Sequence, residues 1–492
     1  MLNWVDAIAA HFEATGLRPG ERVSLWLSNR VEVVVAFLAC ARQGLVCNPS
    51  LHQNYTGGEI LTLLKRVRAS ALIVERGYGA DAKRHDIIPE ATALPGMRAV
   101  TVLPPGRTPG DEFPSHADIL PPRRDDPDTV GYLAFTSGTT GMPKGVMHSD
   151  NTLLANARAM VADWGHDEAT VLLSLSPLSH HIAWVAIAQA LVAGAEFVIN
   201  DPPAGLHALD WIVESGATYV MGVPTHAIDI QAEQTRRDMA RIGNVRVFYM
   251  AGSPIPPATA QRFLDQGILP QNVYGMSENS SHQYTLPGDD KRTIVETCGR
   301  AGKGYEVRIF DSENADREVA AGTIGQIGGR GGCLMLGYFD NQSATEDSFN
   351  AGGWFLSGDL GSLDENGNLR FAGRLKDLII RGGHNIYPAR IEDLAIKHPA
   401  VDKAAAFPVA DERLGEKVCL AVLAPDGQRP ESDTLLRHLY ESGLSKYDMP
   451  EYYIQVDAFP LTASGKILKR ELVAMVERGA LSPEPIRFAA PD

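Results

Sequence analysis

The sequence lacks any paired-cysteine pattern. Its five cysteines, Cys40, Cys47, Cys298, Cys333 and Cys419, are scattered, odd in number and without C-x-x-C spacing. A disulfide framework or zinc site is therefore not expected, and reduced thiols in a cytoplasmic setting are. No run of ~18 apolar residues occurs, so no membrane-spanning helix is expected. The opening M-L-N-W-V-D-A-I-A-A has neither the basic region nor the apolar core of a secretory signal. Positive charge is also short: 45 Lys and Arg face 60 Asp and Glu, a net charge of −15. A nucleic-acid partner is not expected, because neutralising phosphates takes clustered cations. A local basic loop can still hold a small anion against the global charge.

At 492 residues the chain exceeds one ordinary core, so two or three domains are expected. Apolar and polar residues predict helices over Trp4–Thr15, Val31–Gln43 and Glu59–Arg68, alternating with strands at Val23–Leu27 and Ala71–Val74. Such alternation predicts a parallel α/β sheet with crossover helices. The Pro-, Arg- and Asp-rich stretch Pro104–Asp128 reads as a surface linker. Further strands are expected at Val171–Ser174, Phe197–Ile199, Tyr219–Met221 and Val247–Met250, between helices at Asn151–Trp164, Ile182–Val192, Ala208–Ser215, Pro224–Arg237 and Pro257–Gln266. From Thr293 to Gly337 many Gly, Val and Ile residues predict a small β subdomain. Within it Gly328–Gly332 reads as a strand-turn element, since no helix follows to make it a phosphate loop. The C-terminal part reads as mixed α and β: helices Ala389–Lys397 and Ser432–Ser442, strands Lys403–Pro408 and Val418–Leu423.

The most informative stretch is Tyr132–Ser149, Y-L-A-F-T-S-G-T-T-G-M-P-K-G-V-M-H-S. An apolar strand, Gly131–Phe135, runs into Thr136, Ser137, Gly138, Thr139, Thr140 and Gly141. Glycines let backbone N–H groups face a ligand and hydroxyls add donors, as a polyanion such as a nucleotide triphosphate requires. Pro143 before Lys144 and Gly145 after it rule out the strand-loop-helix phosphate motif. A second strand, Val146–Ser149, follows. At the end of the Val247–Met250 strand, the small residues Ala251, Gly252 and Ser253 leave room for a flat ligand, the usual ligand position in open α/β sheets.

The string T-S-G-T-T-G-x-P-K-G resembles the phosphate loop of the adenylate-forming (ANL) superfamily, which includes AMP-forming acyl-CoA synthetases. The resemblance continues in family order through G-x-x-P-G-x-x-V-x-x-x-x-x-N (Gly16–Asn29), P-L-x-H (Pro177–His180), Y-G-M-S-E (Tyr274–Glu278), W-F-L-S-G-D-L (Trp354–Leu360), G-R-L-K-D (Gly373–Asp377) and P-L-T-A-S-G-K (Pro460–Lys466). It implies a large N-terminal domain of α/β subdomains plus a small β subdomain, residues 1–375. A smaller mobile α+β C-terminal domain, residues 376–492, would follow. Family members usually carry a further stretch before the first helix, so either the first subdomain is expected to be incomplete at its edge or the start to be misassigned.

The implied activity is ATP-dependent conversion of a carboxylic acid to an acyl-adenylate, then transfer to coenzyme A with release of AMP and pyrophosphate. By the same resemblance Lys466, Thr136 and Glu278 are catalytic. Thr136–Gly141, Lys144, Ala251–Ser253, Tyr274, Gly275, Met276, Ser277, Glu278, Asp359 and Arg374 would bind the nucleotide. Tyr274 would stack on adenine and Asp359 would take the ribose hydroxyls. Glu278 and Thr139 would hold Mg²⁺, Lys376 would be the hinge between domains, and Gly382 and Gly383 would lie along the CoA arm. His180, His181, Trp184, Met250, Gly252, Ser281 and His282 would line the acid pocket, with Ala251 and Ser280 beside them. That mostly apolar or small set suits an aryl, alicyclic or medium-chain acid, and no Asp in it could meet an amino acid's ammonium. A homodimer is what the family suggests. Two other readings stay open: a stand-alone enzyme loading a carrier protein, and a nucleotide-binding pseudoenzyme.

Overall fold

The computed structural model describes residues 1–106, 113–117, 120, 122–123, 126–136, 143–253, 255–425, 428, 430–461 and 467–488. The chain forms two compact units. The larger holds most of residues 1–307 together with 329–349, and the smaller holds 308–328 and 350–492.

Two seven-stranded sheets build the larger unit. In the first, Arg22–Trp26 is central, parallel to Val46–Asn48 on one side and to Ala69–Glu75 on the other, with Ala99–Leu103 beyond. Every residue of Ala69–Glu75 is buried. Its side chains alternate between two cores: Ala71 and Ile73 meet Phe12 and Val35, while Leu72 and Val74 meet Ile60 and Leu64. A near-continuous apolar strand is what burial on both faces demands. The helix Gly57–Arg66 begins with a reciprocal cap, the Thr56 side chain accepting from the Glu59 N–H and the Glu59 carboxylate accepting from the Thr56 N–H. Val130–Thr136 pairs parallel with Val46–Asn48 and then antiparallel with Lys144–Ser149, from Val130 opposite Ser149 to Thr136 opposite Lys144. The anion-loop motif thus closes a hairpin at the end of a parallel sheet.

The second sheet runs parallel through Glu196–Val198, Val171–Ser174, Tyr219–Gly222, Val247–Met250 and Leu269–Met276. It then turns antiparallel through Ser280–Tyr284 and Arg300–Ala301. The sequence S-S-H-Q-Y of the Ser280–Tyr284 strand has no apolar alternation, yet all five residues are buried. Side-chain partners meet part of it: the Ser281 and Tyr249 hydroxyls lie 2.6 Å apart, and Gln283 donates to the Gly299 carbonyl.

Two sequence expectations need correcting here. Thr293–Gly337 is not wholly β, because Lys291–Glu296 is a helix started by the Asp290 carboxylate, which accepts from the Arg292 and Thr293 N–H groups. The ends of that stretch also join the larger sheets, through Arg300–Ala301 and Gly337–Tyr338. Nor does Pro104–Asp128 run over the surface throughout. Phe113 is only 3% exposed and packs edge-on against Trp4, its ring centre 5.5 Å away, so one aromatic anchors the segment.

Tyr305–Phe310, Gly325–Gly331, Phe355–Leu363 and Leu369–Arg374 form a four-stranded sheet. Gly328 and Gly329 lie within its second strand. A Cβ at Gly328 would meet the Phe310 ring at 2.5 Å and one at Gly329 the Tyr305 hydroxyl at 2.2 Å, so the glycine run makes room for aromatic cover.

In the smaller unit, Lys403–Asp411 and Gly415–Leu423 pair antiparallel over nine residues. The helices Pro388–Ala395 and Ser432–Glu441 belong to the same unit, and Ile391, Ala395, Leu435, Leu436 and Leu439 share a core with Val418 and Leu420. A short hairpin, Ile379–Arg381 with His384–Ile386, joins this sheet. Its two-residue loop is Gly382–Gly383, with φ of 57° and 84°. Positive φ at both loop residues is what the tightest hairpin turn requires. A Cβ on Gly383 would meet no other atom of the chain within 4 Å, so within the folded chain backbone conformation and not packing calls for glycine. Gly383→Ala should therefore lower stability by about 1–2 kcal/mol, and Gly383→Asn by less, since Asn tolerates left-handed backbone. Urea unfolding of the three proteins checks this; an Ala variant as stable as the parent would contradict it.

Candidate active site

The larger unit brings the anion-loop hairpin beside the Tyr274–Glu278 motif. Ser137, Gly138, Thr139, Thr140 and Gly141, and Lys466 of the C-terminal motif, lie outside the described residues. The residues flanking the loop are held in place. Thr136 Oγ1 donates to the Lys144 carbonyl at 3.5 Å, and the Arg66 guanidinium donates to the Pro143 carbonyl. Lys144 Nζ sits 4.4 Å over the centre of the Tyr338 ring. The hydroxyl of the same tyrosine donates to Glu278 Oε1 at 3.0 Å. One tyrosine thus links the candidate phosphate lysine to the candidate metal carboxylate, and burial, then the Glu278 charge, pushes its phenol well above the usual range. Tyr338 was not singled out in the sequence, because it sits in an unremarkable G-Y-F on a two-residue strand far from either motif.

The turn after Tyr274 is tightly built. Gly275 passes so close to Ser280 that a Cβ would lie 1.8 Å from the Ser280 carbonyl oxygen. The Met276 N–H donates to Asn279 Oδ1 at 3.2 Å, and the Glu278 carbonyl accepts from the Met335 N–H at 2.7 Å. Tyr274 is buried, its ring edge-on to His282. At the neighbouring strand end Met250 and Ala251 are buried, and Gly252 has a φ of 91°.

The candidate acid-pocket residues surround these elements, several of them deep in the core. Trp184 is 2% exposed, donates to the Leu178 carbonyl at 2.8 Å and packs on Phe37. His180 stacks on His52 at 4.3 Å, and His52 Nδ1 is 2.9 Å from Ser179 Oγ. His181 reaches Tyr132 and Ser280. His282 is 1% exposed, rests on the Tyr305 ring, and has no hydrogen-bond partner on either ring nitrogen among the described residues. His52 was missed in the sequence; a lone histidine in the Asn48–Gly58 segment carries no signal until stacking places it.

In the smaller unit Asp359 and Arg374 face each other across paired strands, with Arg374 Nε 3.6 Å from Asp359 Oδ1. The Asp359 N–H donates to Ser357 Oγ, which sets the strand end. Lys376 is in the single 3₁₀ turn Leu375–Asp377 between this sheet and the hairpin of Gly382 and Gly383. Burial, then the Arg374 charge, lowers its amine below the usual range against the pull of Asp377 and Asp359. The base of the Lys466 loop is defined by a bridge between Leu461 and Ile467 and by the Leu468 N–H donating to the Pro460 carbonyl at 2.8 Å. Lys469 then pairs with Glu392 at 2.6 Å, and Glu392 also accepts from the Ala406 N–H.

No group of three or more metal-ligating side chains occurs among the described residues. A magnesium ion bound chiefly through substrate phosphates would need only one or two protein carboxylates, and Glu278, held by the Tyr338 hydroxyl, would be a candidate.

Fold and site together define a two-unit α/β enzyme organised around an anion-loop hairpin and a sheet-end nucleotide motif. Residues 1–339 match the model of the AMP-binding enzyme family, and residues 390–466 match the AMP-binding enzyme C-terminal domain. The chain is 30% identical over 510 residues to the human mitochondrial medium-chain acyl-CoA ligase ACSF2, spanning 96% of this chain and 82% of that one. It is 32% identical over 481 residues to 3-[(3aS,4S,7aS)-7a-methyl-1,5-dioxo-octahydro-1H-inden-4-yl]propanoyl:CoA ligase of Mycobacterium tuberculosis, spanning 95% and 91%. The ATP-bound structure of MatB from Rhodopseudomonas palustris superposes with a TM-score of 0.85 at 28% identity, covering 96% of this chain and 92% of that one. The chain belongs to the AMP-binding enzyme family of the adenylate-forming superfamily, and it is an AMP-forming acid–CoA ligase.

The buried histidines make a testable statement about acid. Burial lowers His52 and His282 to about 3 and His148 to about 4, against 6.5 when unfolded, with His180 also lowering His52. The folded chain therefore binds fewer protons than the unfolded one below 6.5. Stability should fall as pH drops from about 6.5 toward 4, by about 1.4 kcal/mol per pH unit for each histidine. Urea midpoints between pH 7.5 and 5 measure the slope, and His282→Phe should flatten it. An unchanged slope would show that His282 is not buried neutral.

Proposed function

We propose that the acid is a medium-chain, alicyclic or aryl carboxylic acid, activated with Mg²⁺–ATP in the larger unit and passed to CoA. The observation that carries the site assignment is the convergence of Lys144 and Glu278 on Tyr338 beside the anion-loop hairpin. It holds a cation and a carboxylate in register for the two partners of a bound triphosphate, its oxygens and its magnesium. The acid class is supported by the apolar and small candidate pocket residues, and by relatives named for medium-chain and alicyclic acids.

A carboxylate resists thiols because oxide is a poor leaving group; joined to the α-phosphate of ATP, it leaves AMP instead. Magnesium would supply charge neutralisation on the phosphates. The chain's part is orientation and electrostatics. Tyr274 would take the adenine, and Asp359 would accept from the ribose diol while Arg374 keeps its carboxylate oriented. Thr136 and the loop hydroxyls would donate to phosphate oxygens, and Lys466 would stabilise charge as pyrophosphate departs. Residues 1–375 and 376–492 would act as the two domains, with rotation about Lys376 replacing Lys466 by the face of Gly382 and Gly383 for the thiol. A homodimer is part of this reading.

Measuring AMP release across a panel of carboxylic acids tests the class. Free CoA as acceptor should give product; activity only with a loaded carrier protein would favour the carrier reading, and no acid-dependent pyrophosphate exchange at all would favour a pseudoenzyme. Lys466→Ala should lose exchange by roughly 100-fold or more, the usual cost of one transition-state donor, and still convert a pre-made acyl-adenylate and CoA. Normal exchange would remove Lys466 from the adenylation step.

Gly383→Asn separates the thioester step. Asn accepts the positive φ yet adds a side chain, so exchange should stay near normal and acyl-CoA formation should fall at least about tenfold. Equal loss in both half-reactions would place the effect in the backbone.

A further inference from the structure

We propose that His148 and His181 are positioning residues that clamp the Gly275–Ser280 turn, and through it Glu278, from below. The inference deepens the adenylation reading and rests on it. The two imidazoles stack with ring centres 5.4 Å apart and planes 20° from parallel. His148 comes from the returning strand of the anion-loop hairpin, and His181 opens the helix His181–Ala193.

Each ring ties a different point of the turn. His148 Nε2 lies 2.7 Å from the Ser277 carbonyl. A carbonyl only accepts, so Nε2 carries the proton, and Nδ1 lies 2.9 Å from the Thr152 hydroxyl, which also reaches the Ser149 carbonyl at 3.0 Å. His181 Nδ1 lies 3.2 Å from the Tyr132 hydroxyl and Nε2 lies 2.9 Å from Ser280 Oγ. Tyr132 is wholly buried, and His181 Nδ1 is the acceptor its phenol proton meets. That assigns the same tautomer to His181, with Nε2–H donating to Ser280 Oγ. Both rings therefore donate from Nε2 into one short turn, one residue before Glu278 and two after it.

The turn needs such support. Ser280 has a φ of 54°, a left-handed conformation unfavourable for a residue with a Cβ, and its carbonyl presses on Gly275. Strain of this kind persists where surrounding contacts over-determine the conformation. With its main chain bonded at Ser277 and Glu278, the Ser280 hydroxyl held by His181, and its own carboxylate meeting Tyr338, the Glu278 side chain has a defined position without a nucleotide. The hairpin strand that bears His148 begins at Lys144, so the same contact couples the Lys144 strand to the Glu278 turn.

The test compares His148→Gln, which keeps a donor near the Nε2 position, with His148→Leu, which fills the space without one. In nucleotide-free protein, amide hydrogen exchange over residues 275–280 should rise about tenfold in His148→Leu, the cost of one unsatisfied buried acceptor. In His148→Gln it should stay close to the parent. For acid-dependent pyrophosphate exchange, His148→Leu should lower kcat about tenfold with the KM for the acid unchanged, and Gln should recover most of it. Ser280→Ala removes only the second tether and should loosen the same amides, which keeps the test open if the Leu variant fails to fold. Gln and Leu behaving alike, or unchanged amide exchange in Leu and Ala, would overturn the clamp. If the parent shows no exchange reaction with any acid, the adenylation reading fails, and the amide measurements still decide the clamp.

Discussion

Gly275 and the Ser280 carbonyl occupy space that leaves no room for one carbon atom between them. Much of the larger unit's candidate site depends on that contact. It lets the Leu269–Met276 strand reverse into Ser280–Tyr284 within a few residues, which turns a parallel sheet antiparallel at its edge. Glu278 falls at the apex of the reversal, and Tyr338 is there to take its carboxylate. A wider turn would move the carboxylate away from the hairpin that carries Lys144. Charge geometry here is thus decided by main-chain packing before any ionic attraction is considered.

Around that turn the interior is polar but neutral. His52, His148 and His282 are all buried, and burial holds each imidazole in its uncharged form. A neutral ring can both donate and accept, and His148 in this way spans the Ser277 carbonyl and the Thr152 hydroxyl without the desolvation cost of a charge. Charged groups are kept for places where a phosphate or a carboxylate can meet them: Lys144 over Tyr338, and Arg374 beside Asp359. A chain of net charge −15 thus still carries local cations at these two places.

In the smaller unit the same economy appears as short connections. Three residues of 3₁₀ helix separate the Asp359–Arg374 pair from the glycine hairpin, with Lys376 in the middle. The Lys469–Glu392 ion pair anchors the helix that follows the Lys466 loop to the helix Pro388–Ala395. Such short, bonded links fix the local geometry of each candidate group within the smaller unit.

Apolar runs and loop chemistry made much of this legible in advance. The parallel strands, their crossover helices, the anion loop after Phe135 and the order of the motifs all follow from local patterns, because a doubly buried strand must be apolar and a phosphate loop must be rich in glycine and hydroxyls. The Ser280–Tyr284 strand was not legible, since Ser280, Ser281 and Tyr284 bond to partners distant in sequence and no apolar alternation marks it. Neither were Phe113 as an anchor, Tyr338 as the link between Lys144 and Glu278, nor His52 and His148 as buried neutral groups. Each acquires its role from neighbours that the fold supplies. The sequence by itself therefore determined the fold class and the class of chemistry. Only the tertiary structure decided which of them meet, because hydrogen bonds and ring contacts act over a few ångströms and leave no periodic trace along the chain.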